Sequence, residues 1–270
     1  MNPAWPGKIK NAVPRALRQW LRRRWHGAVF SGDFSSWAEA RAASGGYDAD
    51  VIFEKTLTAA RAVRDGRAAW ERDTVLFHEP VCHQPLLDAL RHAAGAAGGR
   101  LAVLDFGGAL GSTWWQHRAW LSDLAEVRWS VVEQPQFVAA GQREFANGPL
   151  RFYETIDGCC AAERPGVALL SSVLPYLEDP HALVQDIARR DFRHVIIDRT
   201  GFVGRGRDRL TVQRVPASIY EASYPCWFFD REKLLRPFAA DWRIVAEWPA
   251  FDRADIAAEY CGLALERTGR

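Results

Sequence analysis

The sequence predicts an α/β protein with a mostly parallel sheet that is covered by helices on both faces. After residue 97, four short apolar runs alternate with helical stretches, at 101–106, 127–132, 167–171 and 194–198. Before that point, residues 33–95 carry apolar side chains at spacings of three and four, as helices do. Three later runs read as strands separated by loops, at 210–215, 242–247 and 260–266, with one helix near 230–239. We therefore expect a helical N-terminal region, a seven-stranded sheet and an antiparallel C-terminal edge.

Residues 1–32 form the first predicted segment, a basic arm. This arm holds seven Lys and Arg residues and no acid, whereas the rest of the chain has 28 basic and 33 acidic residues. Leu17, Trp20 and Trp25 can share one face of a helix whose other faces carry arginines. The pattern allows contact of residues 8–25 with an anionic membrane surface or with partner proteins. A plain basic arm, or a helix that packs on its own domain, is the favoured interpretation.

Residues 33–97 form the second predicted segment, a helical region in front of the sheet. Helices are expected over 36–44, 48–65 and 80–94. A run rich in alanine and glycine then breaks the last helix, so the main domain, residues 98–270, begins there. The stretch 70–73 combines a tryptophan with charged side chains, and we interpret it as a candidate lid.

The first predicted strand ends in an acid and runs directly into a glycine loop. Asp105 stands at the strand tip and is followed by Gly107, Gly108, Gly111 and Ser112. Glycines let a backbone turn sharply and approach a ligand closely. The loop lacks the G-x-G-x-x-G spacing of dinucleotide sites, and the acid would repel a pyrophosphate. A positively charged ligand is favoured instead, such as S-adenosylmethionine with its sulfonium and ammonium groups.

The second predicted strand also ends in an acid. Glu133, followed by Gln134, comes 22 residues after Gly111. An acid at this position of nucleotide-binding folds accepts hydrogen bonds from ribose hydroxyls. Together with Asp105, the pair Glu133 and Gln134 therefore predicts a cofactor site. The alternative is that each acid only caps the helix after its strand.

Polar residues mark the carboxyl ends of two further strands. Ser171 and Ser172 end one apolar run and precede Tyr176, and Asp198 ends the next run. Because the carboxyl ends of parallel strands meet at one edge, these side chains should lie beside the cofactor. We assign Ser171 and Ser172 to the cofactor site, with capping of the next turn as their alternative role. Asp198 and Tyr176 are candidate catalytic residues.

Five strings in this order resemble a family of uncharacterised methyltransferases that are encoded with bacterial surface-polysaccharide genes (O-antigen or capsule). The strings are LDFGGALGSTWWQ, VVEQPQFV, LLSSVLPYLEDP, IIDRT and TVQRVPASIYEASYPCWFF. The resemblance covers most of residues 35–265. More widely, it extends to the Rossmann-like class I methyltransferases, whose loop is usually D-x-G-x-G-x-G. Asp105, Gly107 and Gly111 match that loop, whereas Ala109 replaces the middle glycine.

The resemblance implies an S-adenosylmethionine-dependent methyltransferase whose acceptor is a hydroxyl of a sugar or glycolipid. Such an acceptor needs a general base within hydrogen-bond reach. The candidate bases are Asp198, Tyr176 and Tyr220, followed by Tyr224 and His78. Residues 70–83 and 218–229 are expected to recognise the acceptor, because they combine polar and aromatic side chains in long connections. The alternative for 218–229 is a hydrophobic plug over the edge of the sheet. In this setting residues 8–25 would contact the inner membrane or the glycan-assembly proteins.

Two other functional classes stay open, a nicotinamide-dependent oxidoreductase and a non-catalytic binding module with the same fold. The spacing of the loop argues against the first, and measurable turnover would exclude the second. Nucleic acid is not expected as a partner, because the body of the chain is acidic. No metal site is expected, because the cysteines and histidines lack the spacing of ligands. The sequence shows no signal peptide and no apolar run of membrane-spanning length, which predicts a cytoplasmic protein.

Overall fold

The computed structural model describes residues 29–46, 49–204, 206–215 and 222–269. The amphipathic pattern predicted within residues 8–25 and the candidate base Tyr220 lie outside these ranges. Within them, no helix has the length and apolar character that are needed to cross a bilayer.

The strands fall into three sheets. In chain order they are β1 (Val29–Phe34), β2 (Trp70–Arg72), β3 (Val75–Phe77), β4 (Arg100–Phe106), β5 (Glu126–Val132), β6 (Leu150–Tyr153), β7 (Val167–Ser171), β8 (His194–Phe202), β9 (Arg209–Val215), β10 (Ala222–Phe228), β11 (Trp242–Pro249) and β12 (Glu259–Arg267). The helices are α1 (Trp37–Ala42), α2 (Ala49–Arg64), α3 (Gln84–Ala96), α4 (Ser112–His117), α5 (Pro135–Glu144), α6 (Ile156–Glu163), α7 (Pro180–Arg189) and α8 (Arg231–Leu235).

The main sheet has seven strands in the order β11-β12-β8-β7-β4-β5-β6. The five strands β8, β7, β4, β5 and β6 run parallel to one another, whereas β12 and β11 are antiparallel to their neighbours. The chain moves outward from β4 to β6 and then returns to β7 on the other side of β4. In open α/β sheets a ligand crevice forms outside the carboxyl ends of the strands at such a switch point.

Helices cover both faces of this sheet because neighbouring residues of each strand point to opposite sides. Val103 of β4 packs in one hydrophobic cluster with Leu57 of α2 and Leu90 of α3. The next residue, Leu104, packs in a second cluster with Ile187 of α7. The predicted fold class is confirmed: a Rossmann-like, seven-stranded, mostly parallel sheet with an antiparallel C-terminal edge.

The predicted strand at 210–215 does form, but the expectation that it joins the antiparallel edge of the main sheet is wrong. It is β9, the middle strand of a separate three-stranded sheet in the order β1-β9-β10. Leu210 and Val212 of β9 pack with Ala40 of α1 in a small core of their own. This local core separates β9 from the edge that β11 and β12 form.

The helices predicted over 36–44, 48–65 and 80–94 correspond to α1, α2 and α3, but the region also contains β2 and β3, which the sequence did not predict. β1 was not predicted either, and it crosses the predicted boundary between the basic arm and this region. β1 buries a single side chain, Phe30, and therefore lacks an alternating apolar pattern. β2 and β3 form a hairpin whose turn residues, Asp73 and Thr74, have φ of 51° and 69°. Type I′ turns require these angles and usually contain Asn and Gly, so this hairpin carried no recognisable turn signal.

Candidate functional site

A cavity of about 680 Å³ opens at the carboxyl edge of the main sheet. Most of the residues assigned to the cofactor from sequence line it: Asp105, Gly107, Gly108, Ser112, Glu133, Gln134, Ser171 and Ser172. Gly111 is not among the lining residues. It has a φ of 86° just before α4, and a Cβ there would lie 3.0 Å from Leu150. Gly111 therefore allows the sharp turn by which the chain enters α4.

The candidate bases are distributed unequally. Asp198, Tyr176 and Tyr224 line the same cavity, on the side of β8 and the small sheet. His78 is exposed just after β3 and does not line the cavity, although the hairpin before it does. Three candidates therefore lie where an acceptor could reach them.

The carboxyl group of Asp105 lies under the glycine loop. Its side chain is 1% exposed, and its Oδ2 accepts a hydrogen bond from Trp129 Nε1 on β5 at 2.9 Å. A Cβ at Gly108 would lie 2.6 Å from this carboxyl group, so the close approach requires glycine. Burial raises the pKa of Asp105 to about 7. The hydrogen bond from Trp129 lowers this pKa in part, and the charge of Glu133 raises it further.

Glu133 connects the tip of β5 to the same loop. Its Oε1 accepts a hydrogen bond from the backbone N–H of Ala109 at 3.2 Å, and its Oε2 accepts one from that of Gln134 at 2.8 Å. A carboxylate offers about four acceptor positions, so this pair of bonds leaves capacity for a ligand's hydroxyl groups. Burial raises the pKa of Glu133. The acid both fixes the loop and faces the cavity.

A third acid, Glu71, reaches the cavity from the β2–β3 hairpin. The hydroxyl of Ser112, in the first turn of α4, donates to Glu71 Oε1, and the backbone N–H of Thr74 donates to Oε2 at 3.2 Å. Burial raises the pKa of Glu71 to about 7, although the Ser112 hydrogen bond opposes the rise. Sequence analysis placed this residue in a candidate lid and in the acceptor-binding segment 70–83. It did not place it next to the glycine loop, because the contact with Ser112 joins positions 41 residues apart.

Two arginines line the cavity, the half-buried Arg72 and the buried Arg199. Arg72 donates to Gln116 Oε1 at 2.9 Å, and burial together with the charge of Arg199 lowers its pKa to about 10. Arg199 forms a two-pronged ion pair with Asp252, at 2.9 and 2.8 Å, and lies 3.7 Å from Asp73. These acids hold Arg199 in place, so the cationic side of the cavity is rigid.

Asp198 is held by a tryptophan from a strand that is not its neighbour. Its Oδ1 accepts from Trp248 Nε1 on β11 at 2.9 Å, and its Oδ2 accepts from the Ser171 hydroxyl at 3.3 Å. β12 lies between β11 and β8, and a Cβ at Gly262 of β12 would lie 2.1 Å from Trp248 Nε1. The indole therefore crosses β12 over Gly262 to reach β8.

Aromatic side chains form another part of the wall. The Tyr176 hydroxyl donates to Gln213 Oε1 at 3.1 Å, and its ring meets that of Tyr224 edge to face at 5.4 Å between centroids. Trp37 of α1 also lines the cavity. Such rings with attached polar groups can contact the C–H faces of a ligand and orient its hydroxyls.

Two buried histidines lie next to these lining residues without lining the cavity themselves. Nδ1 of His117 lies 2.9 Å from the Thr113 carbonyl, and its Nε2 accepts the backbone N–H of His83 at 3.1 Å. These partners fix the neutral tautomer with its proton on Nδ1. Burial lowers the pKa of His117 to about 4 and also lowers that of His83. His117 is a packing residue that connects α4 to the start of α3.

Backbone strain is concentrated around this cavity. Among the described residues, six non-glycine residues have φ in the left-handed region, and five of them line the cavity: Asp73, Thr74, Ala109, Ser172 and Arg199. Each such conformation costs of the order of 1–3 kcal/mol and persists only where the surroundings impose it. Clustering of this kind is typical of binding and catalytic sites.

Comparison with known proteins gave similarity at the level of structure. No family model matches the chain, and no curated protein matches it in sequence. The chain is similar to the N-terminal domain of EvdMO1, solved in the presence of SAH and D-fucose, with 17% identity and a TM-score of 0.46. The match covers 83% of this chain and 98% of that domain.

Two further solved structures are similar to the chain. One is CalS10 with bound SAM, an amino pentose methyltransferase from Micromonospora echinaspora involved in calicheamicin biosynthesis. It shows 14% identity over 77% of this chain and 96% of that chain, with a TM-score of 0.45. The other is magnesium protoporphyrin IX methyltransferase (ChlM) from Synechocystis PCC 6803 with bound SAM. It shows 14% identity over 99% of this chain and 100% of that chain, with a TM-score of 0.44.

Proposed function

We propose that the chain is an S-adenosylmethionine-dependent methyltransferase that binds this cofactor in the cavity at the carboxyl edge. One observation carries the proposal: three acids surround the glycine loop at the switch point of the sheet, of which Asp105 and Glu71 are buried and Glu133 is half-buried. Asp105 lies beneath the loop, Glu133 accepts a hydrogen bond from its backbone, and Glu71 accepts one from Ser112 just after it. Such a ring of carboxyl groups favours a ligand that carries positive charge.

The same acids argue against a dinucleotide. In dinucleotide-binding folds the helix after the glycine loop directs its N-terminus at a pyrophosphate. Here the first turn of α4 meets the carboxyl group of Glu71 through Ser112. A pyrophosphate would have to displace this acid and would lie close to Asp105 and Glu133. S-adenosylmethionine has no phosphate, and its sulfonium and ammonium groups suit the acids.

The residues around the loop fit the parts of this cofactor. We assign the ribose hydroxyls to Glu133, with Gln134 beside it, and the cationic part to the side of Asp105 and Glu71. Gly107 and Gly108 line the cavity with backbone alone, since Val173 and the Asp105 carboxyl group pack against them from the other side. Ser171 with Ser172 would close the site from β7. When bound, the cofactor supplies a methyl group on a positively charged sulfur. The chain's own task is to hold an acceptor atom in line with that methyl group and close to it.

The acceptor that we propose is a hydroxyl of a sugar or glycolipid in surface-polysaccharide biosynthesis. The cavity supports this choice with the rings of Trp37, Tyr176 and Tyr224 next to the amide of Gln213. Residues 33–97 would cover the site, with the hairpin at 70–77 as its closing part, since residues 71–74 line the cavity. Residues 70–83 and 218–229 remain the proposed acceptor-binding segments.

The proton of such a hydroxyl would go to a general base of the cavity. The bases proposed from sequence are Asp198, Tyr176 and Tyr220, of which Tyr220 lies outside the described residues. Glu71, which also lines the cavity, is a further candidate. Asp198 is held in one orientation by Trp248 and Ser171, as a positioned base must be. Glu71 has a pKa of about 7, raised by burial, and this value suits proton transfer at neutral pH.

Calorimetric titration with S-adenosylmethionine and, separately, with NAD tests the proposal. Wild type is compared with Asp105→Asn and Glu133→Gln, which keep the shapes of the side chains. Glu126→Gln is the matched control, since Glu126 lies exposed at the opposite end of the Glu133 strand. We expect S-adenosylmethionine to bind, NAD not to bind, both site variants to weaken binding at least tenfold, and the control to behave as wild type.

Saturable binding of NAD, or absence of S-adenosylmethionine binding at millimolar concentration, would contradict the proposal. If the cofactor binds but no sugar acceptor is turned over, the non-catalytic module becomes the better interpretation.

For residues 8–25, we propose contact with an anionic membrane surface at the cytoplasmic face of the inner membrane. If this proposal is right, the full chain should co-sediment with vesicles that contain anionic lipid and should not co-sediment with neutral vesicles.

A further inference from the structure

Three side chains of kinds that bind metals lie close together at the end of the main sheet opposite the cavity. His194 is the first residue of β8, and Glu266 is its cross-strand partner on β12. His92 reaches them from α3, in the turn before the end of that helix. Their positions in sequence are far apart, so no motif connects them. The fold alone brings two imidazoles and one carboxylate together.

The distances fit a shared ion. One ligand atom of each residue lies within 4.8 Å of those of the other two, and His92 Nε2 is 3.6 Å from a Glu266 oxygen. Zinc–ligand bonds of about 2.0–2.2 Å place two ligand atoms of a tetrahedral site about 3.3–3.5 Å apart. The His92–Glu266 pair already has this spacing. His92 is 50% exposed and can rotate to adjust the rest.

His194 supplies an independent observation. Its side chain is 6% exposed, and its Nε2 is buried without a hydrogen-bond partner among the described residues. Leaving a buried polar atom unpaired is costly, so native structures nearly always provide a partner.

We propose that His92, His194 and Glu266 form a binding site for a divalent transition-metal ion, with zinc favoured by the ligand types. Two histidines and a glutamate leave one position of a tetrahedral ion for solvent, which the exposed side of His92 permits. The ion would tie α3 to the antiparallel edge of the sheet. The site is independent of the proposed function, since Asp198 lies four residues along β8, about 13 Å away.

Arg243 is the group that competes with the ion. Its guanidinium donates to the same Glu266 oxygen that faces His92, at 2.8 Å, and it is largely exposed. A cation at this position weakens the attraction of Glu266 for a second cation. Replacing Arg243 by Gln should therefore tighten metal binding, whereas loss of any ligand should weaken it.

The test uses the full chain, free of tags and stripped with a chelator. It is titrated with Co²⁺, followed by d–d absorption, and with Zn²⁺ in competition with a chromogenic chelator. Wild type is compared with His92→Asn, Arg243→Gln and the control His78→Asn, which removes an exposed histidine elsewhere. We expect one ion per chain in wild type and His78→Asn, at least tenfold weaker binding in His92→Asn, and severalfold tighter binding in Arg243→Gln.

His194→Asn is made as well, but its position in the core can impair folding, so the exposed His92 decides the result. Zinc should also raise the unfolding temperature of wild type and not that of His92→Asn, because binding to the folded state alone stabilises it. Failure of wild type to bind Zn²⁺ at 100 μM, or equal binding by His92→Asn, would overturn the proposal. Neither result would affect the cofactor titration, which reports on the other end of the sheet.

Discussion

The two ends of the main sheet differ in strain and in buried charge. At the carboxyl edge, five non-glycine residues adopt left-handed backbone conformations around one cavity. At the amino edge, Arg164 alone does so among the described residues, as the cap of α6. The carboxyl edge also buries Asp105, Asp198 and Arg199, whereas the amino edge buries His194, whose Nε2 has no hydrogen-bond partner among the described residues.

Strand β8 shows what this difference means. All nine of its residues are buried, and the run Val195–Ile197 packs on both faces of the sheet. This apolar run stabilises the strand, so the residues on either side of it can be groups that stability alone would not select. After the run, Asp198 and Arg199 are held by hydrogen bonds with their neighbours, as a preorganised reaction site requires. Before the run, Nε2 of His194 has no hydrogen-bond partner among the described residues, as an unfilled ligand position would.

The largest effect should follow from closing the space between the loop and Asp105. In Gly108→Ala the new methyl group would lie 2.6 Å from the buried carboxyl, so either the loop or Asp105 must move. We expect at least a hundredfold loss of S-adenosylmethionine affinity, measured by calorimetry. The matched control is Gly95→Ala in α3, where a Cβ meets nothing within 4 Å.

That control should bind the cofactor as wild type does and should raise the free energy of unfolding by about 0.5–1 kcal/mol, because alanine favours a helix. Equal cofactor affinity in Gly108→Ala and wild type would show that the loop geometry does not matter for binding.

The second effect concerns Asp198. In Gly262→Ala the added Cβ would lie 2.1 Å from Trp248 Nε1, so the indole must leave and Asp198 loses its donor. We expect the free energy of unfolding to fall by about 1–3 kcal/mol, as for a buried acceptor without a partner, measured by urea denaturation. Gly204→Ala, where a Cβ meets nothing within 4 Å, should stay near wild type. If Gly262→Ala destabilises a Trp248→Phe background equally, the two residues do not act through this contact.

The third effect is a pH dependence of cofactor binding. Burial raises the pKa of both Asp105 and Glu71 to about 7, so both are neutral below that pH and ionised above it. The ionised forms attract a sulfonium, so the Kd for S-adenosylmethionine should fall about tenfold between pH 6 and pH 8. S-adenosylhomocysteine shares the ammonium group but has no sulfonium charge, and its Kd should change less. Asp105→Asn should flatten the profile, and an unchanged slope in that variant would contradict this assignment.

The sequence was sufficient for the parts of the fold that local patterns define. Strands β4, β5, β7 and β8 are apolar runs that end at an acid or a serine, so both the strands and the polar groups at their ends could be predicted. β6 was not predicted, because this short strand buries only Leu150 and Phe152. β1 could not be predicted either, since it buries Phe30 alone. The partners of β9 could not either, because strand pairing is decided by packing between distant segments.

Long-range contacts explain what sequence analysis missed at the site. Glu71 meets Ser112 across 41 residues, and Trp248 meets Asp198 across 50. Nothing in the sequence next to Glu71 or Trp248 indicates these contacts, because Glu71 lies in a polar stretch and Trp248 in an edge strand. Their roles arise only when the hairpin folds over α4 and when Gly262 lets an indole pass. The same holds for His92, His194 and Glu266, which the spacing rules for metal ligands could not connect.

The smallest effect should come from replacing one strained residue at each edge of the sheet by glycine, since only the one at the carboxyl edge should affect binding. Thr74 has a φ of 69° in the hairpin turn, and its backbone N–H holds Glu71. Thr74→Gly removes about 1–2 kcal/mol of strain, partly offset by the greater freedom of glycine in the unfolded chain. Arg164→Gly removes similar strain at the amino edge, where φ is 47°. Both variants should gain about 0.5–1 kcal/mol in urea denaturation.

The two variants should differ in cofactor affinity, because only one of them loosens a residue that faces the cavity. A glycine at position 74 gives the turn more freedom and lets Glu71 move, so the affinity for S-adenosylmethionine should fall severalfold. Arg164→Gly should bind as wild type does. If both variants become more stable and neither loses affinity, then the left-handed residues of the hairpin are a consequence of chain packing, and the contrast between the two edges does not extend to function.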